Sequence, residues 1–153
     1  MVDDRFRALR WAAGIYALGL VLHTFDHFRR GLDAVSGQVF WAGNLSTLLG
    51  VTAVVLVFMG HRWAPAFAAI TGLPVAFGVA AVHLLPYWSA LSDSFPDGGN
   101  GITVLSWSVV LLEIAGAFAM GVTGLLALRE QTAETQTVVG TARRSSTGRI
   151  KST

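Results

Sequence analysis

Four stretches of mostly apolar residues, each long enough to cross a bilayer, fill most of the first 128 positions. A spanning helix needs about 20 such residues. Lipid offers no partner to an unpaired backbone group, so an apolar run of this length is expected to be helical. The runs cover 8–28, 39–59, 64–87 and 102–128. The fourth is long enough to tilt or to project beyond the bilayer. Composition agrees: 13% of residues are charged, against about 25% in a soluble domain, and the mean hydropathy is +0.57. The expected fold is all-α: an integral membrane four-helix bundle over 1–128 with a C-terminal tail over 129–153. The tail is rich in Thr, Ser, Gln and Arg and poor in large apolar residues, so it is expected to be disordered. In the third run, Pro65 suits a first helical turn and Pro86 an exit. Pro74 should kink the span, which a bundle tolerates.

The basic residues set an orientation. With four spans, both termini and the 60–63 turn share one side. That side holds Arg5, Arg7, Arg10, Arg62, Arg129, Arg143, Arg144, Arg149 and Lys151, and the other holds Arg29 and Arg30. The positive-inside rule then puts both termini in the cytoplasm of a cell that carries the chain in its plasma membrane. Trp11 and Trp63 fall at inner ends, and Trp41, Trp88 and Trp107 near outer ends, as two aromatic belts should. The first run has a basic start, but it is too long for a signal peptide and no small-residue cleavage site precedes HTFDHFRR, so it reads as a retained helix. One Lys against ten Arg, with abundant Ala, Gly and Val, suggests a GC-rich bacterial genome.

Some chemistries are excluded or lack support. The chain has no cysteine, which removes disulfides, thiolate ligands and thiol redox catalysis. The sequence pI near 9.7 does not imply nucleic-acid binding, because the basic residues cluster at the chain ends, where topology and lipid headgroups account for them. The lipid bilayer is the expected partner, with a homo-oligomer or a larger membrane complex as a further candidate. No glycine-rich phosphate loop or nucleophile elbow is present.

Against that background five ionisable residues stand out: His23, Asp26 and His27 in the first run, His83 in the third and Glu113 in the fourth. Charge within a bilayer is costly, and such groups tend to face a bundle interior and mark functional sites. Spaced i, i+3 and i+4, His23, Asp26 and His27 share one helix face, extended by Tyr16, Gly19 and Arg30. His83 shares a face with Gly72, Ala76 and Tyr87. Glu113 shares one with Ser106, Gly116, Ala117, Met120 and Gly124, and Asn44 and Thr47 share a side of the second span. Small residues let helices approach closely, and Ala117 to Gly121 has the small-xxx-small form. At 1.5 Å per residue, His23 lies about 7 Å, His83 about 6 Å and Glu113 about 16 Å from the outer ends of their runs.

Three histidines and two carboxylates suit a divalent transition metal, since imidazole binds Zn, Cu, Fe and Ni. His23 and His27 can ligate one ion from one helix face, and Asp26 can ligate or orient a histidine. Haem b is a second possibility, with His23 or His27 and His83 as axial ligands and Arg29 and Arg30 beside the propionates. A small proton-coupled carrier built on Glu113 and the histidines is a third. A scaffold or accessory subunit fastened by polar contacts is the non-enzymatic alternative. Asp93, Asp97 and Asn100 lie in a glycine-rich loop that does not follow the calcium-loop spacing and reads as a flexible turn.

Overall fold

A computed structural model describes the backbone of residues 2–31, 35–99 and 101–149, and the side chains of 6–31, 35–99, 101–133 and 136. The chain forms α1 (Val2–Arg30), α2 (Gly37–Phe58), α3 (Ala64–His83) and α4 (Val104–Arg149), with no strand among the described residues. Each helix contains a segment long and apolar enough to cross a membrane: Phe6–Arg30, Gly37–Phe58, Ala64–His83 and Val104–Ala133. The chain is therefore all-α with four candidate spans, as its apolar runs require.

Local chemistry sets the helix ends. α2 opens at Ser36, whose hydroxyl accepts from the Val39 amide at 3.1 Å, the standard satisfaction of a first-turn donor. The same hydroxyl donates to the Ala90 carbonyl and so ties the start of α2 to the loop after α3. α2 closes at Gly60, whose φ of 64° lets the His61 amide reach the Leu56 carbonyl at 3.0 Å, a glycine-dependent stop. α3 begins with Pro65 in its first turn and contains Pro74. It ends at His83, about one turn before the expected Tyr87. The residue preceding a proline is disfavoured in the α region, so Pro86 ends the helix ahead of itself. The backbone of α4 continues as helix to Arg149, past the span that stops at Ala133. The tail expected to be disordered starts at Arg129, and most of its side chains, with residues 150–153, lie outside the described residues.

α4 packs intimately against α1 and α3, and α2 rests more lightly on α1 and α3. Glycine makes the close contacts possible. A Cβ on Gly19 would lie 2.6 Å from the Glu113 Cα, one on Gly116 2.6 Å from the Tyr16 Cα, and one on Gly72 2.6 Å from the Gly121 amide nitrogen. The backbones touch, as small-residue interfaces in membranes allow. Leu9, Ala13, Tyr16, Val57, Ala68 and Met120 form the core beneath. Phe25, Phe77 and Leu105 are exposed, as lipid-facing residues should be.

α2 is held mainly by its second half. Of its buried residues, Gly50, Ala53 and Val57 lie there and only Val39 near the start. Gly50 seats on Tyr16, where a Cβ would meet the phenolic oxygen at 2.0 Å. The first half of α2 stands off from the bundle. This leaves a cavity of about 570 Å³ between α1, α2 and α3 at the upper end, where α1 finishes and α4 begins.

Candidate metal centre

The upper end of α1 carries His23 and His27 one turn apart, and their ring centroids are 4.6 Å apart. His83, the last residue of α3, meets them from across the bundle at 4.8 Å from His23 and 5.8 Å from His27. One ring nitrogen of each lies within 4.8 Å of the others. His23 and His83 are buried and His27 is partly buried. The depth argument from sequence does not hold by the helix ends, since His83 is the last residue of α3, although its ring still meets His23. It overstated the depth of Glu113, because the helix ends differ from the run ends. Counted from Arg30 and Val104 at 1.5 Å per residue, His23 lies about 10 Å deep and Glu113 about 14 Å, and the two side chains meet.

The Nδ1 atoms fix what each ring can do. His23 Nδ1 and a Glu113 carboxyl oxygen are hydrogen-bonded; when Glu113 is ionised, Nδ1–H donates and the lone pair of His23 lies on Nε2. That Nε2 is buried and has no hydrogen-bond partner. His83 Nδ1–H donates to the Asp93 carbonyl at 3.1 Å, and its Nε2 is likewise left as the acceptor. An imidazole whose Nδ1–H is held by an oxygen is the usual form of a metal ligand. His27 is different: its Nδ1 accepts from Arg30 Nη2 at 3.1 Å. That contact is replaceable, because Arg30 also donates to Asp26 at 3.1 Å and to both oxygens of Asp93, at 3.1 and 2.6 Å.

Asp26 is therefore not in the histidine cluster. Its Oδ1 accepts two bonds from Arg29 at 2.9 and 2.8 Å, and its Oδ2 accepts from Arg30. Arg29 continues to the Gly101 carbonyl and to Ser106 Oγ, at 2.8 and 3.0 Å, joining α1 to the start of α4. The i, i+3 and i, i+4 spacing from Asp26 to Arg29 and Arg30 was the sequence signal for this pairing. With the two arginines engaged by Asp26 and Asp93, Glu113 is the carboxyl group that faces His23 without an arginine partner among the described residues.

Asp93 is the residue beside the cluster that sequence reasoning left in a flexible turn. Over residues 84–99 the α3–α4 connection is not a loose turn, and Asn100 lies outside the described residues. Its Asp93 amide donates to the Val82 carbonyl and its Phe95 amide to the His83 carbonyl, both at 3.0 Å, which satisfies the last carbonyls of α3. Asp93 thereby comes under His83, with its carboxylate 3.4 Å from Nδ1. Phe95 is buried against the His83 ring, and the Arg30 guanidinium lies over the Phe95 face. Burial works against ionisation of Asp93, but its hydrogen bonds to His83 and Arg30 outweigh this and hold the carboxyl well below the usual carboxylate range. At the loop's exposed side, Asp97 accepts from the Tyr87 amide at 2.7 Å. Its carboxyl is held low first by Ser94 and then by that amide. The one loop signal for a buried role was an apolar Phe95 next to a carboxylate.

The donor set fits a transition ion with borderline nitrogen ligands. It does not fit a bis-histidine haem, whose axial imidazoles stand on opposite faces of a macrocycle. His23 and His83 meet edge to face with His27 against both, so no macrocycle fits between them. Asn44 and Thr47 border the cavity beside the cluster, and Asn44 spends its amide on the Phe40 carbonyl. No known protein family matches the chain, and neither a curated protein nor a solved structure resembles it significantly; the functional reading rests on geometry.

Proposed function

We propose that this chain is a membrane metalloprotein that holds a divalent transition metal ion between His23, His27 and His83. Glu113 and Asp93 orient His23 and His83 from opposite sides. One observation carries this reading: three imidazole nitrogens lie within 4.8 Å of one another, and one of the rings, His23, keeps a buried Nε2 with no other partner. A buried acceptor without a donor is costly, and a metal ion would relieve it. The setting is read as a bacterial plasma membrane with both termini cytoplasmic, supported by the arginine distribution. A scaffold held by polar contacts accounts for the Arg30 ion pairs but not for the unpartnered His23 nitrogen.

The test is metal analysis of the detergent-purified protein. Stoichiometric metal is expected, lost in both His23→Leu and His83→Leu while the helical content stays that of the parent. A metal-free parent that also takes up no added Zn²⁺ or Co²⁺ overturns the reading. So does metal content unchanged in both variants.

A further inference from the structure

A site with three protein ligands characteristically leaves a coordination position for water or substrate. Here the histidines and Glu113 form part of the wall of the 570 Å³ cavity, so the remaining position faces that space. Most of the wall is apolar, from Leu20, Val39, Leu49, Ile70, Val75 and Val79 among others. Three of the polar donors beside them are engaged: Thr24 on the Leu20 carbonyl at 2.8 Å, Ser46 on Gly43 at 2.9 Å and Asn44 on Phe40 at 2.8 Å. Thr47 and Thr71 add hydroxyls to the wall, and the histidine cluster is where ligating nitrogens converge to receive a polar head. The size and the few convergent polar groups are those of a small-molecule site. Its rim includes Phe40, Leu45 and Ile70, exposed by 40%, 60% and 66%, all within candidate spans. The mouth therefore opens toward lipid.

We infer that the cavity takes a lipid-soluble molecule whose head carries a metal-binding oxygen. Its apolar body lies between α2 and α3 and its oxygen completes the coordination of the ion. This inference rests on the metal reading above. The gap beside the first half of α2 is what admits the body, and the pinning of Gly50 on Tyr16 closes the cavity below.

The test uses the detergent-purified protein loaded with Co²⁺, whose visible absorption reports its ligands. The probes are dodecanohydroxamic acid and, as a tail-free control, acetohydroxamic acid. Gly78 lines the cavity and a Cβ there meets nothing within 4 Å, so Gly78→Phe introduces a ring into the space at a position that is not itself a histidine of the cluster. Dodecanohydroxamic acid should change the cobalt spectrum of the parent. Gly78→Phe should weaken that response at least about tenfold, the scale of an overpacked site, and leave the response to acetohydroxamic acid unchanged. If Gly78→Phe does not fold, Gly43→Leu tests the same space, since a Cβ at Gly43 also meets nothing within 4 Å. Bound cobalt that ignores the long probe overturns the inference and leaves the metal reading standing, as does a filled cavity with no effect. A parent that takes up no cobalt overturns the metal reading itself and, with it, this inference.

Discussion

Glu113 and Asp93 each hold the Nδ1 of one histidine, Glu113 with a side-chain oxygen and Asp93 with its backbone carbonyl. The two residues should therefore respond differently to loss of charge. Outer partners of ligating histidines typically contribute 10- to 100-fold in metal affinity. Glu113→Gln keeps an acceptor oxygen and the shape, so it should fold normally and bind the ion roughly 10- to 100-fold more weakly by chelator competition. Unchanged affinity would place Glu113 among the helix-packing groups. Asp93→Asn keeps the backbone carbonyl and loses the ion pair with Arg30, whose side chain is fully buried. Breaking such a pair from one side costs about 3–5 kcal/mol. The folded carboxyl sits below its ordinary 3.8, so its contribution is complete above pH 3.8 and drains away as the pH falls toward the folded value. Thermal unfolding in detergent should show the parent more stable than Asp93→Asn at neutral pH, with the gap narrowing below pH 3.8. A gap that stays constant with pH would separate the effect from ionisation. The pairing of His23 with His27 was legible from sequence because i, i+4 spacing is a geometric fact about helices, and His83 stood out as an ionisable residue near the same end of an apolar run. Asp93 was not legible, because a loop has no period, and its place depends on which carbonyls at the end of α3 need donors.

At the level of elements, the site depends on how closely α1 and α4 approach. Glu113 reaches His23 because Gly19 lies against its backbone and Gly116 lies against Tyr16 one turn along. Gly116→Leu should push α1 from α4 and break the His23–Glu113 contact. Overpacking costs about 1–3 kcal/mol, and more is expected where the neighbour is backbone that cannot swing aside. Metal content and melting temperature should both fall. Gly14→Ala is the control, since a Cβ there finds its nearest neighbour, Phe58, 4.0 Å away, and it should behave as the parent. Both changes raise helix propensity, so equal loss in both would have another cause than propensity and would remove the α1–α4 contact as the explanation. The small-residue faces were visible in the sequence as spacing, but the partner of each face was not. Periodicity says which side of a helix is small, whereas the pairing of α4 with both α1 and α3, and the looser seat of α2, come from tertiary contact. The early end of α3 carried its own signal in Pro86, through the restriction on the residue before it.

For the molecule as a whole, the expected orientation rests on the Lys and Arg of the two ends. The positive-inside rule counts those residues near the span ends and gives Asp and Glu little weight. Counted from sequence, the upper end has only Arg29 and Arg30. In the fold, Arg30 is shared between Asp26 and Asp93, and Arg29 is bound to Asp26. The cations of that end are thus matched by carboxylates, while Arg62 at the opposite end lies over Trp63 in a short turn with no acidic residue. The expected orientation therefore rests on the nine-to-two split of Arg and Lys between the two ends. The cysteine-free chain makes this testable with single replacements. Ala90, in the upper loop, and His61, in the opposite turn, are both exposed. An impermeant thiol reagent on intact cells should label Ala90→Cys and leave His61→Cys unlabelled until the membrane is opened. The reverse pattern would turn the protein over and put the histidine cluster and its cavity in the cytoplasmic leaflet. The same pair of variants carries a second reading of the fold. If Arg29→Gln and Arg30→Gln are added to Ala90→Cys, the upper end loses its two cations and the excess at the opposite end grows, so the topology should not change. Mixed orientation in that variant would show that the Arg and Lys bias does not set the topology.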